Sequence, residues 1–359
     1  MPNTSIDYHF DEAAANRAVD FIEKFCTHVK GELGGKPFLL EDWQKDDIIR
    51  PLFGWKKPDG TRRYRTCYVE IPRKNGKSNL SAAIALYMLF ADGERGAEVI
   101  SAAGDRGQAN IVFNIAQEMI NNNEHLRSRA KVLRNVVQYK SSWYKSISAE
   151  AYTKHGLNCH AVIFDELHTQ PNRDLWDVLT TSTGARRQPL IMALTTAGHD
   201  RASICYEIHE YAQNVLDGII NDETFLPVMY AAHPDDDWTQ EETWQKANPG
   251  YGTICHKSYF EQAVQNAKAN PSMVNSFLRL HLNIWTSAET AWIPDDVWMK
   301  GNQPIPHDQL ANLPCYAALT LPALKTSQPL PCFSAMMSTA VFISWFISLS
   351  IQKRLTPRN

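Results

Sequence analysis

The stretch YVEIPRKNGKSNLSAA, residues 68–83, places a basic and polar turn between two apolar runs of different character. RTCYVEI (65–71) is aromatic and β-branched and reads as a strand. From Leu80 onward, Ala83, Ile84, Tyr87 and Met88 recur at helical spacing. Leu86 and Leu89 fill other faces, so this helix is expected to be buried nearly all round. The turn closes on Gly76, Lys77 and Ser78, as a phosphate-binding loop does, but the usual G-x-x-x-x-G-K-S/T pattern has glycine where Ile71 stands. The tripeptide alone also fits an Asn-Gly turn carrying a surface lysine. Its flanks decide the reading. Between a strand and a helix, the backbone N–H groups of Lys74, Asn75, Gly76, Lys77 and Ser78 point at phosphate oxygens, helped by the positive helix end. Lys77 then supplies a point charge for the β- and γ-phosphates of ATP, and Ser78 a ligand for Mg²⁺.

A site of this kind needs further parts, and three other stretches offer them. HAVIFDELH (160–168) ends a buried apolar run on Asp165 and Glu166. An aspartate there holds the Mg²⁺ shell, and the glutamate beside it orients and deprotonates an attacking water. The plainer reading of the pair is a solvated acidic turn. ALTTAG (193–198) offers the hydroxyls of Thr195 and Thr196 as sensors of the γ-phosphate, or simply two β-branched residues before a glycine turn. In PFLLEDWQ (37–44), Trp43 can stack on adenine and Gln44 can read it with its amide, although a single interior tryptophan is usually core.

Around these stretches, AEVISAA (97–103), HAVIF (160–164), PLIMALTT (189–196) and FLPVMYAA (225–232) read as strands separated by helical patterns. Short strands are expected within 132–150. The alternation predicts an α/β fold, a P-loop (RecA/ASCE-like) parallel sheet flanked by helices, followed by a small helical linker subdomain. With 359 residues and 44% hydrophobic content, two or three domains have room for a core. A net charge of −3 leaves no global basic footprint, so nucleic-acid contact would need a local patch. Seven scattered cysteines without a C-x-x-C pair, and no secretory leader, fit reduced thiols in a cytoplasmic protein and argue against zinc.

These motifs in this order resemble the large terminase subunit of tailed bacteriophages, the ATPase that packages viral DNA. That family's phosphate loop is a deviant one, with an early basic residue and often no first glycine. PRKNGKS (72–78) is similar to it, with Arg73 as the early residue. PFLLEDWQ resembles the adenine-binding element, VIFDELH the acidic motif and LTTAG the coupling motif, and KHGLN (154–158) also fits. The resemblance spans about residues 20–315. It implies Arg73, Lys77 and Glu166 as catalytic residues, Ser78 and Asp165 as Mg²⁺ ligands, and double-stranded DNA, a portal protein, a small terminase subunit and further copies of the chain as partners. D-E-x-H also marks superfamily-2 helicases, but too few residues follow 200 for a second lobe of typical size. A prophage remnant that only binds nucleotide or partners is the other alternative.

The family pattern divides the chain into an ATPase domain (1–222), a linker or lid (223–290), the start of a ribonuclease-H-like nuclease (291–317) and a tail (318–359). In the nuclease's first strand, Thr320 stands where the family has a metal-binding aspartate. Synonymous codons exist for which TLPALKTSQP, regrouped by one base, reads DLASTQDITA. The tail is therefore expected to be out-of-frame sequence without ordered structure, and the nuclease truncated. The charge-free run between Lys325 and Lys353 has the length of a membrane span, which is the less favoured reading.

Overall fold

The computed structural model describes residues 7–149 and 156–286, and the backbone of three strands between 315 and 345. Met1–Pro294 and Asp295–Asn359 are separate compact units. In the first, strand β1 (His9–Phe10) leads into helix α1 (Glu12–Phe25), whose first turn is capped by the Asp11 carboxylate accepting from Ala14 N–H. A π-helical turn, Gln44–Ile49, runs into α2 (Arg50–Gly54) and β2 (Trp55–Lys56), which pairs with β1. Then come β3 (Thr66–Glu70), α3 (Lys77–Phe90), β4 (Glu98–Ala103), α4 (Arg106–Asn122) and α5 (Glu124–Arg127). Strands β5 (Lys131–Leu133), β6 (Val136–Tyr139) and β7 (Ser142–Ser148) follow, then β8 (Ala161–Asp165), α6 (Asp174–Thr181), β9 (Leu190–Thr195), α7 (Ile204–Leu216) and β10 (Phe225–Met229). Helices α8 (Glu241–Ala247), α9 (Lys257–Ala269) and α10 (Val274–Leu282) close the unit.

The eight-stranded sheet runs β10-β3-β9-β8-β4-β7-β6-β5. From β10 to β7 every neighbour is parallel. The short strands expected within 132–150 instead close the edge as an antiparallel meander, β7-β6-β5. As predicted, α3 buries almost all of its residues, because the sheet covers one side and α1 and α4 cover the others. Its apolar face therefore has no polar opposite. The order sets β3, β9 and β8 side by side, so the loops leaving their carboxyl ends share one rim, where ligands bind in open parallel sheets.

Helices α8 to α10 enclose a small core of their own around Trp244, Phe260, Phe277 and Leu282. β10 lies within the 223–290 linker segment by sequence, yet it pairs with β3 in the main sheet from Phe225↔Thr66 to Met229↔Glu70.

The second unit contains β11 (Cys315–Ala318), β12 (Phe333–Met337) and β13 (Phe342–Trp345), antiparallel in that order. Two of these strands fall inside 318–359, where no ordered structure is expected from sequence. Phe342, Ile343 and Trp345 favour extended backbone, which outweighs the lack of a consistent period. Thr320 lies outside the described residues. Among the described residues, no helix is long and apolar enough to cross a membrane.

Candidate nucleotide site

The loop leaving β3 is pinned at its start, where Ile71 N–H donates to Thr195 O on β9 (3.1 Å). It turns through two left-handed residues, Lys74 (φ 71°) and Gly76 (φ 80°), before α3 begins. No side chain caps α3, so its first N–H groups are available to an anion at the positive helix end.

Lys77 is 6% exposed. Its ammonium donates to Ile71 O (3.0 Å), Pro72 O (3.2 Å) and Thr196 Oγ1 (2.8 Å), and lies 3.9 Å from Glu166. The charge is thus folded onto the loop's own carbonyls, and burial lowers its pKa against the attraction of Glu166 and Asp165. Half-buried Ser78 follows in the first turn of α3.

Asp165 ends β8 at 2% exposure, with Oδ1 lacking any hydrogen-bond partner. Burial first, and then the charge of Glu166, push its carboxyl up to about 7. Glu166 adopts a left-handed backbone (φ 51°), and its Oε2 accepts from Thr196 Oγ1 (3.4 Å) and lies 3.3 Å from His168 Nδ1. Burial also lowers the His168 pKa to about 4. Three strand ends therefore bring Lys77, Asp165, Glu166 and Thr196 together.

The other residues singled out from sequence divide into two groups. Gln44 is fully buried; its Oε1 accepts from Glu41 N–H (3.1 Å), while its Nε2 has no partner and would lie 3.6 Å from a Cβ at Gly76. Trp43 Nε1 is likewise buried and unpartnered, with its ring edge-on to Tyr230. The orphaned Gln44 donor beside the loop suits a purine, whose ring nitrogens accept. Arg73 and Lys74 have exposed side chains. Thr195 is separated from the cluster: its hydroxyl donates to Thr196 O and accepts from His168 N–H inside the fold. Asn75 is occupied too, since its amide donates to Asn248 Oδ1 (2.8 Å) and its carbonyl accepts from Gly250 N–H (3.0 Å). That side chain brackets the loop to the helical subdomain, and any phosphate contact from Asn75 is left to its backbone.

Sequence reasoning missed the residues that hold this rim together. Glu70, fully buried at the end of β3, accepts from Tyr68 Oη (2.5 Å), Trp285 Nε1 (3.2 Å) and Asn283 Nδ2 (3.4 Å) and lies 2.9 Å from His209 Nδ1. Asn283 also accepts from Ala197 N–H (2.7 Å), and Trp285 covers Gly198 so closely that a Cβ there would meet the ring at 2.8 Å. The only sequence signal was an acidic residue ending an otherwise apolar strand.

An open parallel sheet with a lysine-bearing loop after one strand and an acidic pair after another defines a P-loop nucleotide-binding fold. Family models for the terminase large subunit match in succession, the ATPase domain at residues 42–214 and the endonuclease domain at 219–312. The chain belongs to the terminase large-subunit family. It is 32% identical to the terminase large subunit of Enterobacteria phage HK97 over 319 residues, 86% of this chain and 61% of that protein. Protein YmfN of Escherichia coli K12 is 32% identical over 167 residues, 46% of this chain and 37% of that protein. The crystal structure of the HK97 large terminase superposes with a TM-score of 0.67 at 27% identity, covering 92% of this chain and 67% of that one. The chain thus spans 61% of the length of its HK97 relative.

Proposed function

We propose that this chain hydrolyses ATP with Mg²⁺ to drive the packaging of double-stranded DNA. The observation that carries this is the meeting of Lys77, Thr196, Glu166 and Asp165 from three adjacent strand ends, with an uncapped helix N-terminus at the same loop. When phosphates enter, Lys77 exchanges the carbonyls of Ile71 and Pro72 for phosphate oxygens, and Arg73 adds charge from the same loop. Glu166 accepts the proton of the attacking water. Gln44 and Trp43 hold the base. Asp165 and Ser78 would hold Mg²⁺, whose chemistry is neutralisation of charge building on the phosphates. The fit is good: Asp165 Oδ1 is a buried hard oxygen without a partner, and Mg²⁺ needs only one or two protein ligands besides phosphate and water.

For the DNA, Arg127, Arg129, Lys131, Arg134, Lys140 and Lys145 are all exposed along the meander edge, and no acidic residue occurs between Glu124 and Glu150. This is the local patch that the overall charge of −3 conceals. A portal protein, a small subunit and further copies of the chain, in the host cytoplasm, are the partners this role requires. The helicase alternative is not favoured, because both matching family models are those of the terminase large subunit. The test is phosphate release by the purified chain with Mg²⁺ and ATP, with and without duplex DNA. Glu166→Gln should lower turnover about 10²-fold while nucleotide affinity is kept. Absent phosphate release, or a Glu166→Gln variant as fast as wild type, overturns the reading.

A further inference from the structure

His168 has no task in the hydrolysis described above, yet it touches both the general base and the strand beside it. Its Nδ1 lies 3.3 Å from Glu166 Oε2 and 3.1 Å from Thr195 Oγ1. Its backbone N–H donates to the same threonine oxygen (3.1 Å), and that hydroxyl spends its own hydrogen on Thr196 O (3.1 Å). The Glu166 carboxylate has no proton to give Nδ1, and a bare Nδ1 would face it lone pair to lone pair, while the threonine hydroxyl has Thr196 O and Cys205 Sγ as other partners. These neighbours favour the tautomer with the hydrogen on Nδ1. We infer that His168 is a positioning residue, held by Thr195, whose ring nitrogen 3.3 Å from Oε2 keeps Glu166 aimed at the attacking water; this rests on the ATPase reading.

The arrangement explains why Thr195 faces inward when Thr196 faces the site. The two hydroxyls grip the acidic turn from both sides, one through His168 and the other directly at Glu166 Oε2. It also fixes a side chain whose backbone is held left-handed. A neutral imidazole is the right donor here. A cation would pair with Glu166 and weaken it as a base, and burial together with the charges of Lys77, Arg73 and Arg279 disfavours that cation. The competing explanation is packing, since a Cβ on Gly198 would lie 3.5 Å from His168 Cβ and near Trp285.

Two substitutions separate the explanations, because an asparagine amide nitrogen overlays Nδ1 and a glutamine amide nitrogen overlays Nε2. In the full chain, His168→Ala should lower kcat by about 10- to 100-fold, the cost of a misplaced base, with KM and the affinity for Mg²⁺·ATPγS within about twofold of wild type. His168→Asn should recover most of that loss and His168→Gln little of it. A packing role reverses the order, because glutamine fills more space. An active wild type with an unimpaired His168→Ala, or rescue by Gln equal to rescue by Asn, overturns this inference alone. A wild type that releases no phosphate overturns the ATPase reading. Independently of activity, long-range ¹H–¹⁵N spectra of the nucleotide-free chain should show His168 protonated at Nδ1. An Nε2–H tautomer refutes the inference whatever the turnover.

Discussion

Glu70→Ala is the substitution expected to damage the fold most among the rim residues. The carboxylate is fully buried and meets groups from three other places in the chain: Tyr68, His209 on α7, and Asn283 and Trp285 after α10. Removing it leaves donors behind rather than removing a pair, and each orphaned donor costs about 1–3 kcal/mol. Two of them have other partners. Asn283 Nδ2 keeps Tyr230 O (2.8 Å), and Trp285 Nε1 keeps His209 Nδ1 (3.1 Å). Tyr68 is left with only Cys205 Sγ at 3.9 Å. The loss therefore concentrates on Tyr68, since the His209 nitrogen that faced Glu70 is the acceptor left to Trp285, and with the space vacated it comes to about 3 kcal/mol. For a unit of this size that lowers Tm by roughly 6–10 °C. Trp285→Phe keeps the ring over Gly198 and loses one donor, so about 1 kcal/mol is expected. Because both changes act on one network, the double variant should be less destabilised than the sum by about 1 kcal/mol. Thermal melts followed by circular dichroism, without nucleotide, supply all four corners of the cycle. A Glu70→Ala protein melting within 2 °C of wild type, or strict additivity, would show that this network does not organise the rim.

Lys77→Met should separate binding from stability. Affinity for a fluorescent ATP analogue should fall about 100-fold, while Tm changes by only a few degrees, because an apolar isostere also removes a buried charge. Retained affinity would remove the loop from the site. For Asp165, the folded carboxyl titrates at about 7, above roughly 3.9 in the unfolded chain. Its charge therefore costs stability above pH 7, and the cost fades as pH falls through 7 and is gone below about 4. Asp165→Asn should accordingly raise Tm at pH 8 in metal-free protein and have little effect at pH 4.5; equal effects at both would contradict the assignment of the shift to burial. Finally, supercoiled plasmid incubated with the chain and Mg²⁺ or Mn²⁺ should remain uncut, since Thr320 stands where the nuclease strand needs a metal-binding aspartate.

The sheet and the candidate residues at its strand ends were legible because each rested on a local pattern. Apolar strands running into a basic turn after Ile71, into Asp165 and into Thr196 stood out, and so did the helix beginning at Lys77. What escaped was every contact made across the chain. Asn75 reads as half of an Asn-Gly turn, and nothing local says that its amide will meet Asn248 and Gly250. Thr195 and Thr196 are indistinguishable by residue type, and only strand pleat sends one hydroxyl inward and the other to Lys77. His168 was visible as part of D-E-L-H, but its partner lies on a different strand. The direction of the short strands at the meander edge was not legible for a related reason. The hydrophobic period of 132–150 marks strands without stating their direction, and direction depends on which neighbour the chain returns to.

The contacts that escaped also determine how the nucleotide state can be felt beyond the loop. The phosphate loop is held from two sides. On the sheet side, Ile71 is bonded to Thr195, and Lys77 to Thr196. On the other, Arg73 N–H donates to Leu280 O, the Cys255 thiol donates to Lys74 O, and Asn75 is bracketed by Asn248 and Gly250. Asn248 in turn donates to His281 O, and two residues further Asn283 joins Ala197, Tyr230 and Glu70. A ligand moves a protein only by contacting its two states unequally. Here the unequal contact is the Lys77 ammonium, which cannot serve both the carbonyls of Ile71 and Pro72 and a bound phosphate. Releasing those carbonyls loosens the very turn that Arg73, Lys74 and Asn75 tie to the helical subdomain. On the proposed reading of the loop as a phosphate site, the helices around Trp244 and Phe260 are tied to it by the Arg73–Leu280 backbone bond and by the side chains of Asn75, Asn248 and Cys255, and need no contact with the nucleotide itself.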